Sequence, residues 1–477
     1  MNTFRPLFDP VNIAVIGGSV TGVAPGNRFI RHLKAYGYRG AIWPIHPSAT
    51  EIEGLPAYTS VAATPDVVDY AYVAIAAQHV PPLLRTFDRR VRIAQVISSG
   101  FAETAGGEAL EKELLVSARE SGVRVIGPNC LGVHSPRARV TFSERTTPEV
   151  GSVGIVCQSG GLGVDIARRG QNRGLRFSGL VTVGNCVDVR PSELIEYFLE
   201  SPDTAVIGLY LEGVGDGRRL FEVLRAAKSR KPVVILKGGR TDQGRRAASS
   251  HTGALASSDQ GWKALASQTG AVLVDHLDAF LDALVAFQSL SLREAPTRRA
   301  VLFGNGGGTS VLGTDALAES GFDVAPLAAE VVKTLEDIHL PAGSSVVNPI
   351  DVPASALQKD EGRAAEQIIE VLHEGNVADV LVTHINMTAV LSYRDVDMLG
   401  NLMGSALRVR QRSRSNMHFV LVLRSDGDPE VEERKREYRQ RAVASGIPVF
   451  DELISAASAL ACVSRVEEFR ATARLEC

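Results

Sequence analysis

The chain has 477 residues, of which 45% are hydrophobic and 22% charged, and its formal net charge is -3. This length exceeds what one hydrophobic core normally supports, so two or three domains are expected. The small negative charge argues against a nucleic-acid-binding protein, because phosphate-backbone binding requires clustered positive charge. Five scattered cysteines without a C-x-x-C pair indicate neither a zinc site nor a disulfide framework, and no metal site is predicted. No signal sequence or membrane-spanning apolar run of roughly 20 residues is visible, so a soluble, cytoplasmic protein is expected.

One pattern occurs three times, in which a short apolar strand runs into a glycine-rich turn and then an amphipathic helix. The three units lie at residues 12–22, 152–163 and 300–308. Further buried strands are predicted at residues 67–76, 93–98, 123–126, 204–211, 232–237, 379–385 and 419–424. Continuous Val/Ile/Leu strands that alternate with helices are typical of parallel sheets covered on both faces. The sequence therefore predicts three doubly wound α/β domains, with boundaries in the polar stretches 135–150 and 291–299.

The first glycine-rich turn, Gly17-Gly18-Ser19-Val20-Thr21-Gly22, resembles a dinucleotide fingerprint but departs from it. Ser19 stands where that fingerprint requires glycine. The second strand ends in His46-Pro47, whereas an NAD site has an acidic residue there to bind the ribose. A nicotinamide cofactor is therefore disfavoured, and a turn with open backbone amides suited to a phosphate remains.

The second turn and two residues downstream of it predict phosphoryl chemistry. Residues 159–163 precede a helix predicted from about Val164 to Asn172, and a helix N-terminus attracts anions through its unpaired N–H groups. His251 lies in a predicted loop of small residues, which leaves its imidazole accessible, although a lone histidine is more often exposed or structural. Glu212 follows a predicted buried strand, where a carboxylate can hold one imidazole nitrogen while the other acts as nucleophile.

Six short strings occur in a characteristic order along the chain. They are residues 127–132 (GPNCLG), 158–163 (QSGGLG), 183–185 (VGN), 210–213 (YLEG), 249–254 (SSHTGA) and 348–351 (NPID). Together they resemble the NDP-forming acyl-CoA synthetase superfamily, which includes succinyl-CoA synthetase. The chain is most similar to the α subunit of the ADP-forming acetyl-CoA synthetase type, over nearly its whole length.

The resemblance implies an organisation and a set of site residues. Residues 1–146 resemble a Rossmann-like CoA-binding domain, residues 147–296 a flavodoxin-like ligase domain with a phosphohistidine loop, and residues 297–477 a second flavodoxin-like ligase domain. By the same resemblance His251 is the phosphorylated histidine and Glu212 its orienting carboxylate. The implied phosphate-binding residues are Ser159, Gly160, Gly161, Leu162, Gly163 and Asn185. The implied CoA-binding residues are Gly17, Gly18, Ser19, Val20, Gly22, Asn27, Pro44, Ser99, Gly100 and Asn129.

The implied reaction converts a carboxylic acid, coenzyme A and a nucleoside triphosphate into acyl-CoA, nucleoside diphosphate and phosphate, through phosphohistidine and acyl phosphate. The sequence contains neither a Walker motif nor an ATP-grasp phosphate-binding hairpin. Nucleotide and Mg²⁺ are therefore expected to reach the enzyme through a separate ATP-grasp β subunit, in a hetero-oligomer. Two alternatives remain open, namely carbamoyl or acyl transfer on the same scaffold and a non-catalytic CoA-binding regulatory protein.

Overall fold

The computed structural model describes residues 3–252, 259–358, 363–393, 395–412 and 416–475, without the side chains of residues 249–252, 358 and 475. The strands in these ranges form three main sheets and one short hairpin. None of the helices in these ranges is long and apolar enough to cross a membrane.

The first sheet is entirely parallel. Its strands, with the hairpin β3–β4 that follows the second strand, are β1 (Asn12–Ile16), β2 (Ala41–Ile45), β3 (Glu51–Ile52), β4 (Leu55–Pro56), β5 (Val68–Val73), β6 (Val91–Val96) and β7 (Arg124–Ile126). The helices of this region are α1 (Arg5–Phe8), α2 (Pro25–Tyr36), α3 (Val80–Arg85) and α4 (Glu108–Ser121), with 3₁₀ turns at Val61–Ala63 and Ala77–His79.

The second sheet is parallel except for its edge strand β8, which runs antiparallel to β10. Its strands are β8 (Val133–His134), β9 (Val153–Cys157), β10 (Phe177–Thr182), β11 (Val206–Leu211), β12 (Val233–Lys237) and β13 (Val272–Val274). Its helices are α5 (Gly160–Asn172), α6 (Pro191–Glu200), α7 (Gly217–Ala227), α8 (Asp242–Thr252), α9 (Asp259–Thr269) and α10 (Leu277–Ser289).

The third sheet is again parallel. Its strands are β14 (Ala300–Gly304), β15 (Ile350–Asp351), β16 (Val380–Asn386), β17 (His418–Arg424) and β18 (Val449–Phe450). Its helices are α11 (Gly307–Glu319), α12 (Ala329–Glu336), α13 (Ala354–Gln358), α14 (Arg363–Glu374), α15 (Met387–Leu391), α16 (Met398–Arg412), α17 (Pro429–Ala444) and α18 (Leu453–Leu475).

All three sheets share one strand order, which confirms the predicted doubly wound α/β fold. The first sheet runs β2-β1-β5-β6-β7, the third runs β15-β14-β16-β17-β18, and the five parallel strands of the second run β10-β9-β11-β12-β13. In this order the second strand lies on one side of the first strand, and the third, fourth and fifth strands lie on its other side. The resulting switch point, at the carboxyl ends of the first and third strands, is where doubly wound folds bind ligands. Each glycine-rich turn directly follows a first strand and therefore lies at a switch point.

The chain divides into two compact units, residues 1–171 with 175–280, and residues 172–174 with 281–477. The first and second sheets share one hydrophobic core, in which Ile13 and Val156 are both fully buried. Strand β8 lies before the predicted boundary at residue 146 yet pairs in the second sheet, so the first two predicted domains are joined by main-chain hydrogen bonding. The third sheet has its own core.

The segment predicted as the second boundary, residues 291–299, is anchored rather than free. The carboxylate of Glu467 on α18 is fully buried. It accepts hydrogen bonds from the backbone N–H of Arg293 and of Thr297, both at 2.8 Å, and from the Thr297 hydroxyl at 2.7 Å. His418 on β17 lies 3.2 Å from the same carboxylate. One buried side chain therefore fixes the start of the third sheet.

Candidate functional site

The turn after β1 is packed so closely that its first glycine cannot carry a side chain. Gly17 has a φ of +100°, and a Cβ there would lie 2.1 Å from the carbonyl oxygen of Ala74, just past β5. A Cβ on Gly26 would lie 2.6 Å from the backbone nitrogen of Gly18. The N-terminus of α2 thus packs directly against the backbone of Gly17 and Gly18. Such a cradle is suited to a phosphate group.

Asn27 fixes this turn from inside α2. It is 1% exposed, and its Oδ1 accepts a hydrogen bond from the backbone N–H of Ser19 at 2.7 Å, while its Nδ2 donates to the Ser19 carbonyl at 2.9 Å. The same Nδ2 donates to Glu53 at 2.9 Å, and Arg31 pairs with Glu53 at 2.6 Å and donates to the Gly22 carbonyl at 2.9 Å. Asn27 therefore shapes the turn through its own side-chain amide.

The remaining residues predicted to bind CoA lie at the carboxyl edge of the first sheet. Pro44 is buried near the end of β2, and Ser99 is exposed after β6. Gly100, with a φ of +109°, donates its N–H to Glu103 at 2.6 Å. Asn129 follows β7 with a φ of 58°, and Val20 projects into solvent at 73% exposure. The parallel sheet thus brings these residues to the same edge as the Gly17–Gly18 turn.

At the second switch point, α5 begins at Gly160, earlier than the predicted start near Val164. The Ser159 hydroxyl accepts from the Leu162 N–H at 3.3 Å, and the Ser159 carbonyl accepts from the Gly163 N–H at 3.0 Å. The glycines therefore form the first helical turn instead of preceding it. Gly163 faces the sheet, whereas Gly161 is exposed, and a Cβ added to it would meet nothing within 4 Å. This open first turn is suited to an anion.

Glu212 lies beside that helix start and is 6% exposed. The side-chain oxygen of Gln158, the residue just before Ser159, accepts from the backbone N–H of Glu212 at 2.8 Å and of Gly213 at 3.2 Å. The Tyr210 hydroxyl donates to Oε1 of Glu212 at 3.1 Å. The structure thus brings the predicted anion cradle and the predicted orienting carboxylate together.

Lys237, at the end of β12, is a buried cation of this site. The residue is 5% exposed, and its ammonium donates to the Glu212 carbonyl at 2.7 Å and to the Gly238 carbonyl, and lies 5.9 Å from the Trp262 ring centroid. Burial lowers the pKa of Lys237, and the charge of Glu212 partly offsets that effect. Burial, with a smaller contribution from Glu212, raises the pKa of Cys157 to about 12, so this neighbouring thiol is neutral.

His251 belongs to α8, which runs to Thr252, although the sequence predicts a loop there. Its side chain lies outside the described residues, so the contact between His251 and Glu212 stays a prediction.

Asn185, predicted to bind phosphate, has a different neighbourhood. Its Nδ2 donates to Glu103 at 2.6 Å and to Glu111 at 2.8 Å, and its backbone N–H donates to the Pro128 carbonyl at 3.0 Å. Both N–H groups of the amide are therefore engaged by carboxylates that follow β6. Burial opposes ionisation of Glu103, but hydrogen bonds from Asn185 and from backbone N–H groups, including that of Gly100, outweigh it and lower the pKa of Glu103.

In the third sheet, residues 348–351 fix the turn after β14. The Asn348 amide accepts from the Leu302 N–H at 3.1 Å and donates to the Ala300 carbonyl at 2.9 Å. Asp351 accepts from the Gly306 N–H at 2.7 Å. Within the described ranges, no group of three or more His, Cys, Asp or Glu side chains is arranged to hold a metal ion.

Comparison with known proteins gives consistent matches. Residues 11–136 match the family model of a CoA binding domain, and residues 150–287 match that of a succinyl-CoA ligase like flavodoxin domain. The chain is 31% identical to Acetate–CoA ligase [ADP-forming] I subunit alpha of Pyrococcus furiosus, over 98% of this chain and 99% of that one. It is also 31% identical to Acetate–CoA ligase [ADP-forming] I of Archaeoglobus fulgidus, over 98% of this chain but 64% of that protein. A similar solved structure is that of the dinucleotide-forming acetyl-coenzyme A synthetase 1 of Ca. Korarchaeum cryptofilum, in complex with phosphate and ADP. It superposes on this chain with a TM-score of 0.85 at 28% sequence identity, and the match covers 100% of this chain and 99% of that chain.

Proposed function

The chain belongs to the family of ADP-forming acyl-CoA ligases, and on that premise we propose that it is the CoA-binding, phosphohistidine-carrying subunit of such an enzyme. The reaction joins a carboxylic acid to coenzyme A while a nucleoside triphosphate becomes nucleoside diphosphate and phosphate. The observation that carries the proposal is the second switch point, where Gln158, just before the open first turn of α5, accepts hydrogen bonds from the backbone N–H groups of Glu212 and Gly213, and where the Glu212 side chain is buried.

Coenzyme A fits the first switch point. At Gly17 a side chain would collide with Ala74, and at Gly18 a Cβ would lie 3.2 Å from the Ile52 side chain, so the turn presents backbone here and a phosphate of the CoA nucleotide can approach its N–H groups. Asn27 holds the shape of this turn from below. We assign the exposed residues Val20 and Ser99 and the half-buried Asn129, at the same edge, to further contacts with the coenzyme.

The chemistry needs an activated acid, because a carboxylate is a poor electrophile with a poor leaving group. A ring nitrogen of His251 takes the phosphoryl group from the nucleoside triphosphate, forming an N–P bond as the P–O bond to the diphosphate breaks. A carboxylate oxygen of the acid then attacks phosphorus and the N–P bond breaks, which yields the acyl phosphate. Attack of the CoA thiol on the acyl carbon finally releases phosphate and forms the thioester.

Two groups assist these steps. Glu212 accepts the proton on the second ring nitrogen of His251 in a hydrogen bond, so that the first nitrogen presents its lone pair, and it stabilises the positive charge that develops on the ring. The N–H groups in the first turn of α5 offset negative charge on the phosphoryl group during each transfer.

A partner subunit completes the enzyme. The sequence has no segment recognisable as a nucleotide site, and the Pyrococcus relative is itself named as an alpha subunit. The Archaeoglobus relative extends well beyond the part that this chain matches. We therefore propose a hetero-oligomer in which an ATP-grasp β subunit supplies nucleotide and Mg²⁺.

The test is labelling of the full chain with acetyl phosphate that carries the radiolabel in its phosphoryl group. This donor bypasses the partner because it delivers the phosphoryl group directly. The wild-type chain is expected to take up acid-labile, base-stable label, and His251→Asn is expected to take up none while it still binds coenzyme A. Full labelling of His251→Asn would contradict the proposal. Coenzyme A binding without any labelling of the wild-type chain would favour a regulatory binding protein instead.

A further inference from the structure

The carboxylate of Glu212 is held by a neighbour on its own strand edge. Tyr210 and Glu212 are two positions apart where β11 ends, so their side chains project to the same face. The Tyr210 hydroxyl donates to Oε1 of Glu212 at 3.1 Å. A hydrogen bond to an ionised acceptor is stronger and more directional than one between neutral groups. This contact therefore restricts the rotation of the carboxylate.

The pair is confined on a second side by Gly238, which follows β12. A Cβ at Gly238 would lie 2.8 Å from the Tyr210 hydroxyl oxygen and 3.2 Å from Cγ of Glu212. Real Cβ contacts are longer than the first of these distances, so a side chain at position 238 would displace the Tyr210 hydroxyl. Lys237 holds the adjoining backbone by donating to the Glu212 carbonyl at 2.7 Å. The carboxylate thus sits between a hydroxyl donor and a bare stretch of backbone.

The hydroxyl keeps its proton under physiological conditions. Burial, and then the charge and the hydrogen bond of Glu212, raise the pKa of Tyr210. The protonated Tyr210 hydroxyl is therefore the donor, and the Glu212 carboxylate the acceptor, in this hydrogen bond.

We propose that Tyr210 is a positioning residue for phosphoryl transfer, which holds the Glu212 carboxylate in the orientation that meets the histidine ring. The inference rests on the proposed role of His251 and extends it to a residue that touches neither the substrate nor the phosphoryl group. Tyr210 acts only through Glu212.

The experiment uses the full chain and radiolabelled acetyl phosphate, with the rate of labelling measured against acetyl phosphate concentration. Tyr210→Phe removes the hydroxyl and keeps the ring. We expect the maximal labelling rate to fall about tenfold, which corresponds to ~1.4 kcal/mol, with an unchanged half-saturating concentration of acetyl phosphate. Tyr197→Phe is the matched control, because Tyr197 packs on Phe8 and Phe198 on α1 and α6, away from Glu212; it should label at the wild-type rate.

A double-mutant cycle separates positioning from a general structural effect. In a Glu212→Ala background the hydroxyl has no carboxylate to hold, so adding Tyr210→Phe should cause no further loss. Gly238→Ala perturbs the same pair from the opposite side and should also slow labelling, which keeps the test decisive if Tyr210→Phe folds poorly. A wild-type rate in Tyr210→Phe and Gly238→Ala, or an equal further loss in the Glu212→Ala background, would overturn the inference. Label that persists in His251→Asn would instead refute the proposed function.

Discussion

Two glycines of α5, Gly161 and Gly163, lie two residues apart in the first helical turn but are expected to respond in opposite ways to substitution by alanine. A Cβ at Gly163 would lie 2.6 Å from the Cγ2 methyl of Thr182 on β10, closer than real contacts allow. Thr182 is fully buried, and its hydroxyl accepts from the backbone N–H groups of Leu131 and Gly132, both at 2.9 Å. The threonine therefore cannot rotate its methyl group away without breaking two hydrogen bonds.

The cost of Gly163→Ala follows from this geometry. Overpacking of a rigid core costs about 1–3 kcal/mol, and the better helix propensity of alanine returns about 0.5–1 kcal/mol. We therefore expect a net loss of about 1–2 kcal/mol in the free energy of unfolding. At Gly161 a Cβ meets nothing within 4 Å, so Gly161→Ala should be neutral or stabilising by up to about 1 kcal/mol. Gly161→Ala should nevertheless slow histidine labelling, because its methyl group occupies the open side of the first turn.

Urea unfolding followed by circular dichroism measures these changes. Thr182→Ser supplies a compensating substitution, since serine keeps the hydroxyl that binds Leu131 and Gly132 but lacks the methyl group that Gly163→Ala strikes. The double variant should recover most of the stability lost in Gly163→Ala. The reasoning is refuted if Gly163→Ala is as stable as the wild type, or if Thr182→Ser makes its loss larger.

Two further predictions concern buried polar groups of the third sheet. Burial, with a smaller effect of Arg424, lowers the pKa of His384 to about 4, against an ordinary value of 6.5. The neutral histidine therefore contributes fully to stability above pH 6.5, and this contribution is lost as the pH falls towards 4, by about 2 kcal/mol between pH 7 and pH 5. The free energy of unfolding, measured at both pH values, should fall less in His384→Gln than in the wild type. An equal fall in the two proteins would contradict the assignment. Glu467→Ala removes the acceptor of the Arg293 and Thr297 N–H groups and should destabilise the unit by about 3–5 kcal/mol. Glu467→Gln keeps an acceptor oxygen and should cost less. Equal urea midpoints for the two variants would show that these hydrogen bonds are not the cause of the loss.

The sequence predicted the sheets well because their strands are short, continuous runs of branched apolar residues. The predicted strands at residues 204–211 and 419–424 correspond to β11 (Val206–Leu211) and β17 (His418–Arg424). Parallel topology then places every glycine-rich turn at a carboxyl edge without further information. The switch points were therefore implicit in the order of strands and turns.

Local sequence was a poor guide where tertiary contacts override propensity. Glycine is a weak helix former, so residues 160–163 suggest a turn, yet the packing of Gly163 on Thr182 places them in α5. Small residues around His251 likewise suggest a loop, whereas α8 runs through that position. In both cases the predicted backbone conformation was wrong, because the residues belong to a helix.

The contacts around Glu212 could not be predicted from the sequence. Tyr210 is two residues away, but its hydroxyl meets the carboxylate only because both lie on one face at a strand end. Lys237 comes from a neighbouring strand, and its burial cannot be inferred from a basic, glycine-containing neighbourhood. The contacts of Asn185 were not predicted either. Its motif suggests phosphate binding, whereas its side-chain amide donates hydrogen bonds to Glu103 and Glu111.

The central claim is that one chain binds the coenzyme thioester and carries the phosphoryl group on His251. Incubation of the purified chain with acetyl-CoA and radiolabelled inorganic phosphate, without nucleotide, tests both parts at once, because phosphate must first displace coenzyme A to form acetyl phosphate. The account predicts release of coenzyme A and acid-labile label on the peptide that contains His251, with none in His251→Asn. Label at the full wild-type level in His251→Asn would place the phosphoryl group on another residue and contradict the account.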